Sequence, residues 1–574
     1  MVDRMPTAST EAIRKARDFL FAHATDYEGA IAGFEWPELE EFNFALDWFD
    51  VIASEHPDRN AIMIANESGE VNSWTYGDLS RRSDQVANWF VSLGMKRGDS
   101  VIVMLPNTIE LWETILGVIK AGGVVIPTYT LLSPEDIAQR AHRAHARFSI
   151  SPGELEQRLS LAPDDVTKIC VGDQTPAGWI NFTESEQAKV EFEPDGPTPG
   201  TDTCLYYFTS GTTAYPKLVR HTQTSYPVGH LTTMYWLGLR PGDIHFNLSS
   251  PGWAKHAWSS VFPPFLAEST VFMINYDRFH PSQLLPLIDQ YHITTFCVPP
   301  TAWRMLIQTD MSIVKNPPRE LRCAGEPLNA EVISQVRQAW GETIRDGYGQ
   351  TEMTCSVSNS PGQLVKDGSM GRAMPGYTIQ LWDTVEDQPS DTEGEICLDL
   401  SRSSYPLMTG YVDDPERNAE AYREGYYHTG DVAMRDSDGY LTFIGRSDDV
   451  FKASGYKISP FELESILLEH PLVAEVAVVP SPDEVRGAVP KAFICLVANA
   501  SDPDRDIAVS IFEHSRKRLA GFQLVRIVEF VEDLPKTISG KIRRVELREG
   551  EAEHITDGTL KDREFRERDI RKAS

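Results

Sequence analysis

Cysteine is scarce in this chain. There are seven in 574 residues: Cys170, Cys204, Cys297, Cys323, Cys355, Cys397 and Cys495. The number is odd and no CxxC pair occurs, which favours free thiols. Most lie in apolar strand-like runs such as Phe296-Cys297-Val298, so buried free thiols in a reducing compartment are expected. Basic charge is also short: 54 Lys and Arg stand against 84 Asp and Glu, a net charge of −30. That balance opposes a general nucleic-acid binder, which needs clustered cations, and opposes attraction to an anionic membrane surface. Long apolar runs are missing as well. The stretch Ile115 to Leu132 is broken by Lys120, Gly122, Gly123, Pro127 and Thr128-Tyr129-Thr130, short of the roughly 20 residues of a membrane span. Met1 to Arg17 is polar and lacks the apolar centre of a secretory signal. A soluble cytoplasmic protein is expected, and any positive charge that meets an anionic ligand must be local.

What is present is an ordinary globular balance, 41% hydrophobic and 24% charged. The length exceeds the roughly 250–300 residues at which single cores stop growing, so more than one folding unit is expected. Val101 to Leu105, Ile109 to Ala121 and Val124 to Ile126 read as strand, helix and strand, with Gly122-Gly123 ending the helix. The order recurs at Phe272 to Ile274, Leu284 to Tyr291 and Thr295 to Val298. Such alternation predicts an α/β architecture with a largely parallel sheet. Further on, a helix over Phe461 to His470, strands over Val473 to Val479 and Lys491 to Val497, a helix over Ile507 to Leu519 and a strand over Val525 to Val531 predict a compact α+β unit. The charged tail from Glu549 to Ser574 predicts a solvated helix or disorder.

The segment most suggestive of chemistry is Tyr206 to Lys217, in which Thr209, Ser210, Gly211, Thr212 and Thr213 lead through Ala214-Tyr215-Pro216 to Lys217. Hydroxyls and exposed backbone N–H groups suit a polyphosphate, small residues let it approach, and Lys217 adds a mobile point charge. The pattern is not a Walker A loop. Three further segments follow: Ala324-Gly325-Glu326-Pro327-Leu328, Asp346-Gly347-Tyr348-Gly349-Gln350-Thr351-Glu352, and Tyr427-His428-Thr429-Gly430-Asp431. Gly445-Arg446-Ser447-Asp448-Asp449 and Pro535-Lys536-Thr537-Ile538-Ser539-Gly540-Lys541 complete the series.

Their order resembles the adenylate-forming acyl-CoA synthetase superfamily, whose phosphate loop usually reads TSGTTGxPK. The resemblance runs from about Phe42 to about Leu547 and is greatest to the medium-chain acyl-CoA synthetases. That branch is suggested by Phe42-Asn43-Phe44-Ala45, Pro251-Gly252-Trp253-Ala254-Lys255, Ala257-Trp258-Ser259-Ser260-Val261-Phe262 and Ser454-Gly455-Tyr456-Lys457-Ile458. It implies a large α/β, multi-sheet N-terminal AMP-binding domain over 1–447 and a small mobile α+β domain over 448–574, hinged at Asp448.

The resemblance also implies roles. Thr209 to Thr213 and Lys217 would hold the ATP phosphates. Gly325, Glu326 and Pro327 would lie along adenine, with Gly347, Gly349 and Gln350 in the adjoining segment. Tyr348 would stack on adenine and Asp346 accept from its amino group. Thr351 would touch the α-phosphate, and Glu352, with Thr209, would hold Mg²⁺. Asp431 and Arg446 would bind ribose. Lys541 would stabilise charge at the reacting α-phosphoryl group, with Lys536 a weaker candidate. Trp253, Lys255 and His256 would lie at or near the acyl pocket, where Trp253 and Trp258 suit core packing equally and His256 suits a structural role better than a base. Ser454, Gly455, Tyr456, Lys457 and Arg486 would meet CoA.

Two departures stand out. Ala214 replaces the usual Gly, and Ala resists positive φ. Gln523 stands where a CoA-phosphate-binding Lys is usual. The function implied is ATP-dependent activation of a medium-chain fatty or aryl acid, followed by transfer to CoA. Transfer to an amine or carrier-protein thiol is an alternative left open by Gln523, and a non-catalytic nucleotide-binding relative is one left open by Ala214.

Overall fold

The computed structural model describes residues 4–572 apart from 67, 210–215, 277–279, 327, 385, 454–455, 484–485, 498–499, 501, 538–541 and 558–562. Ser210, Gly211, Thr212, Thr213, Pro327, Ser454, Gly455 and Lys541 therefore lie outside the described residues. The chain divides into two compact units, Met1–Ile379 with Leu398–Tyr427, and Gln380–Cys397 with His428–Ser574. Asp448 lies inside the second unit, beyond the point at which the chain enters it for the second time at His428.

The first unit is built on two sheets. One has nine strands, the central six parallel, in the order Ile344–Tyr348, Glu320–Ala324, Thr295–Cys297, Ile244–Asn247, Thr270–Ile274, Asn60–Ala65. The expected strands at Phe272 and Thr295 are thus in one sheet, but Ile244–Asn247 separates them. The other sheet has seven strands. It is parallel through Ser100–Val103, Val124–Pro127 and Thr203–Thr209, then closes with the antiparallel strand Lys217–Thr222.

The helix Ile109–Lys120 joins two of these parallel strands and is buried over most of its length. It approaches the helix Tyr76–Ser92 closely because Gly117 has no side chain; a Cβ there would lie 2.6 Å from Val86. Lys120, at its end, is buried yet compensated by Asp50 and Asp84, each at 2.7 Å. All seven cysteines are buried free thiols. Among the described residues, no helix is long and apolar enough to cross a membrane.

The second unit contains Leu441–Arg446, an antiparallel partner of Tyr426–Arg435 in a six-stranded sheet, and a four-stranded sheet of Val473–Asp483, Gly487–Leu496, Ile527–Phe530 and Glu564–Arg566. Helices Pro460–Leu467 and Arg505–Arg518 pack their apolar residues on the latter. The tail is partly helical, as one of its two expectations had it, but not wholly solvated. It forms the helix Arg544–Asp557, an edge strand and a short final helix, Glu567–Lys572. Its charges are not all solvated: Lys491 is buried against Glu529 at 2.8 Å, Glu551 at 2.5 Å and Glu564 at 2.8 Å. A buried cation recruited from the sheet lets an acid-rich segment pack.

Candidate active site

Strand register assembles the first part of the site. Glu320–Ala324 and Ile344–Tyr348 run parallel with Cys323 opposite Asp346 and Ala324 opposite Gly347. Their C-terminal ends deliver Gly325-Glu326 and the Asp346 to Glu352 segment to one sheet edge, where ligands bind in open α/β sheets. Three glycines there accommodate indoles. A Cβ on Gly325, which has φ +103°, would lie 2.6 Å from Trp253. One on Gly347 would lie 2.5 Å from Trp236, and one on Gly349 2.3 Å from Trp258.

Asp346 is buried and its Oδ1 accepts the Gly347 N–H at 3.0 Å. Burial lifts its pKa well above the usual carboxylate range. Tyr348 is half-buried against the core. Glu326 accepts from Arg304 at 3.4 Å and Thr301 at 3.1 Å. The Gln350 side-chain oxygen accepts from the Tyr427 hydroxyl at 3.0 Å. The Thr351 carbonyl accepts from His221 Nε2 at 2.7 Å. Burial pushes His221 down to about 4 despite that bond, so the ring is neutral near pH 7 and carries its proton on Nε2.

The second part is the hairpin in which Thr209 pairs with Lys217. Thr209 is half-buried at the end of its strand. Lys217 Nζ lies 3.5 Å from the Tyr411 hydroxyl and 5.0 Å from its ring centroid. The same hydroxyl donates to Glu352 Oε1 at 2.8 Å. Glu352 is 7% exposed and makes no ion pair among the described residues. A buried carboxylate held only by neutral donors leaves its charge open to a cation.

Lys255 is buried, its Nζ 3.0 Å from Asn247 Oδ1 and 3.5 Å from Cys297 Sγ. His256 turns to Asn107, with Nε2 3.0 Å from Oδ1, and lies 5.6 Å from the Trp112 ring. Burial, then the Lys255 charge, pushes His256 down to about 3. The ring is therefore neutral near pH 7.

The second unit carries the remaining candidates. Asp431 and Arg446 face each other across paired strands, with Nη1 3.2 Å from Oδ1. Arg446 also reaches Asp448 at 3.5 Å. Tyr456 is exposed and stacks on Phe522 at 4.5 Å between centroids. Lys457 contributes its backbone to the strand Tyr456–Ile458. The Arg486 backbone N–H donates to Asp483 at 2.9 Å. Gln523 donates to Glu462 at 2.8 Å, so a neutral amide bound to an acid occupies the position where a cation was expected. Lys536 pairs with Glu475 at 2.6 Å.

Residues 49–412 match the AMP-binding enzyme family, and residues 462–541 match the AMP-binding enzyme C-terminal domain. The chain belongs to the AMP-binding enzyme family. Within it, the chain is 41% identical to 4-hydroxybutyrate--CoA ligase 1 of Metallosphaera sedula, over 92% of this chain and 94% of that one. It is 38% identical to the human mitochondrial acyl-coenzyme A synthetase ACSM4, over 90% and 91%. A crystal structure of the anthranilate CoA ligase AuaEII in complex with anthranoyl-AMP superposes with a TM-score of 0.80, at 26% identity, over 90% of this chain and 99% of that one. This AMP-binding enzyme is an AMP-forming acyl-CoA synthetase, and ATP and CoA are the substrates of such ligases.

Sequence reasoning passed over several residues of this AMP-binding enzyme that touch the site. Tyr411, His221 and Asn247 match no motif by themselves. Tyr411 and His221 become visible through partners far away in the chain, as with His221 and Thr351, 130 residues apart, and Asn247 through Lys255, 8 residues on.

Proposed function

We propose that this enzyme activates an apolar carboxylic acid, a medium-chain fatty or aryl acid, and passes it to the thiol of CoA. The substrate carboxylate attacks the α-phosphorus of ATP in line and pyrophosphate leaves. The thiol then attacks the acyl-adenylate carbonyl and AMP leaves. Such phosphoryl-centre chemistry depends on positioning and on charge placed beforehand.

Lys217 and the Thr209 to Thr213 loop meet the phosphates, Thr351 the α-phosphate, and Asp431 with Arg446 the ribose. Tyr348, Asp346, Gly325, Glu326, Pro327, Gly347, Gly349 and Gln350 frame the adenine. Trp253 and Lys255 bound the acyl end. Lys541 serves adenylation, and the Ser454-Gly455-Tyr456 loop with Lys457 and Arg486 serves CoA, the exchange turning on Asp448. Glu352 and the Thr209 hydroxyl are hard oxygen donors suited to Mg²⁺. When bound, that ion neutralises phosphate charge. The observation that carries this reading is Glu352: a buried carboxylate with no ionic partner among the described residues, at the end of the strand segment next to the phosphate hairpin.

Acid-dependent pyrophosphate release from ATP, screened over linear, branched and aryl acids with and without CoA, tests it. No release with any acid would refute adenylation. A second reading, transfer to an amine or carrier-protein thiol, is favoured by the Gln523–Glu462 pair. It predicts adenylate formation with little CoA thioester.

A further inference from the structure

Tyr411 is held through its backbone on both sides as well as through its hydroxyl. Its segment pairs with the strand that leaves the phosphate hairpin: Val219 bridges Tyr411, and the Val412 N–H donates to the Leu218 carbonyl at 2.8 Å. Asn418 clamps its backbone from both sides, accepting the Tyr411 N–H at 2.7 Å and donating to its carbonyl at 2.8 Å. Glu352 is fixed from the same segment, since its carbonyl accepts the Met408 N–H at 2.8 Å. The Tyr422 hydroxyl in turn donates to the Met408 carbonyl at 2.7 Å. Both ends of the contact between Tyr411 and Glu352 are therefore anchored to one stretch of chain.

From this geometry we infer that Tyr411 is a positioning residue that couples the metal-binding carboxylate to the phosphate-loop lysine. The inference rests on Glu352 holding Mg²⁺ and Lys217 meeting the phosphates. A phenol has one proton. It is given to Glu352 Oε1 at 2.8 Å, which leaves a lone pair of the oxygen toward Lys217 Nζ at 3.5 Å. Holding one carboxylate oxygen directs the other, Oε2, to a cation. The same contact sets the distance between the negative and positive ends of the triphosphate site.

Tyr411→Phe tests this, because it removes the hydroxyl and keeps the ring beside Lys217. The Mg²⁺ concentration giving half-maximal pyrophosphate release should rise about tenfold or more, the scale of a lost hydrogen bond to a charged group. By calorimetry, the gain in ATP affinity on adding Mg²⁺ should shrink correspondingly, while AMP affinity in EDTA stays within about twofold of wild type. An unchanged Mg²⁺ requirement overturns the inference, as does an equal loss of AMP affinity in EDTA. Glu352→Gln separates the two levels. If Glu352→Gln alone leaves the Mg²⁺ requirement intact, the assignment of the metal carboxylate fails. If Glu352→Gln raises it and Tyr411→Phe does not, only the role of Tyr411 fails. In the double variant the effects should be strongly non-additive; additive effects overturn the coupling even if either single variant is destabilised.

Discussion

Arg446 lies across Gly430 to reach Asp431: the guanidinium is 3.2 Å from the Asp431 carboxylate, and a Cβ on Gly430 would stand 2.8 Å from it. Gly430 has φ +73°, so Ala there meets both a strained backbone and the guanidinium. Gly430→Ala should displace Arg446 and weaken AMP binding by about tenfold, the scale of one charge-assisted hydrogen bond. Arg446→Ala should weaken it comparably, and the double variant little further. Equilibrium dialysis with AMP checks this, and unchanged affinity in Gly430→Ala would remove Arg446 from nucleotide binding.

Gly325, proposed to lie along the adenine, makes a similar test through Trp253, which is proposed to bound the acyl end. Its φ is +103°, and a Cβ added there would stand 2.6 Å from Trp253, so Gly325→Ala must move the indole. The KM for the carboxylic acid should rise more than the KM for ATP, since the apolar wall shifts. Steady-state kinetics with each substrate varied in turn would show the split, and equal rises would place Trp253 outside the acyl pocket.

His245 predicts an acid-linked loss of stability. It is fully buried between Thr295 at 2.7 Å and Ser259 at 3.3 Å. Burial, followed by the charges of Lys255, Arg322 and Arg319, pushes it down to about 3. The unfolded ring titrates near 6.5. Between those values the unfolded state binds more protons, so this group makes stability rise with pH and fall as pH drops below about 6.5. His245→Gln should lower the proton uptake on unfolding between pH 6 and 4 by about one. Urea midpoints across that range measure it; an unchanged slope contradicts the buried neutral ring.

Lys541→Ala should slow adenylation by about 10²–10³, the loss expected for one preorganised charge-stabilising group. Thioester formation from supplied acyl-adenylate and CoA should persist. Measuring both half-reactions decides it: an equal fall in both would remove the specific role in adenylation.

Lys491→Met should unfold the second unit early. Three carboxylates converge on this ammonium, and deleting one partner of a buried ion network costs about 3–5 kcal/mol. Calorimetry of the full chain should show a transition shifted to lower temperature, with proteolysis appearing first within residues 428–574.

The residue order by itself determined the family and the identity of the candidate groups. Hydroxyl-rich loops, Gly-Tyr-Gly turns and a terminal Lys are local chemistry, and local chemistry is legible in a row of letters. So are helices such as Ile109–Lys120, whose apolar spacing and following Gly122-Gly123 predict both its face and its end. Only the tertiary structure decided which distant residues serve those groups. Tyr411 is 59 residues from Glu352 and 194 from Lys217; strand register, not spacing along the chain, brings them together. The same holds for the acidic tail. Its composition suggests a solvated segment, but Lys491 supplies a buried counter-charge from another strand, and the energy of burying a charge depends on what lies beside it in space.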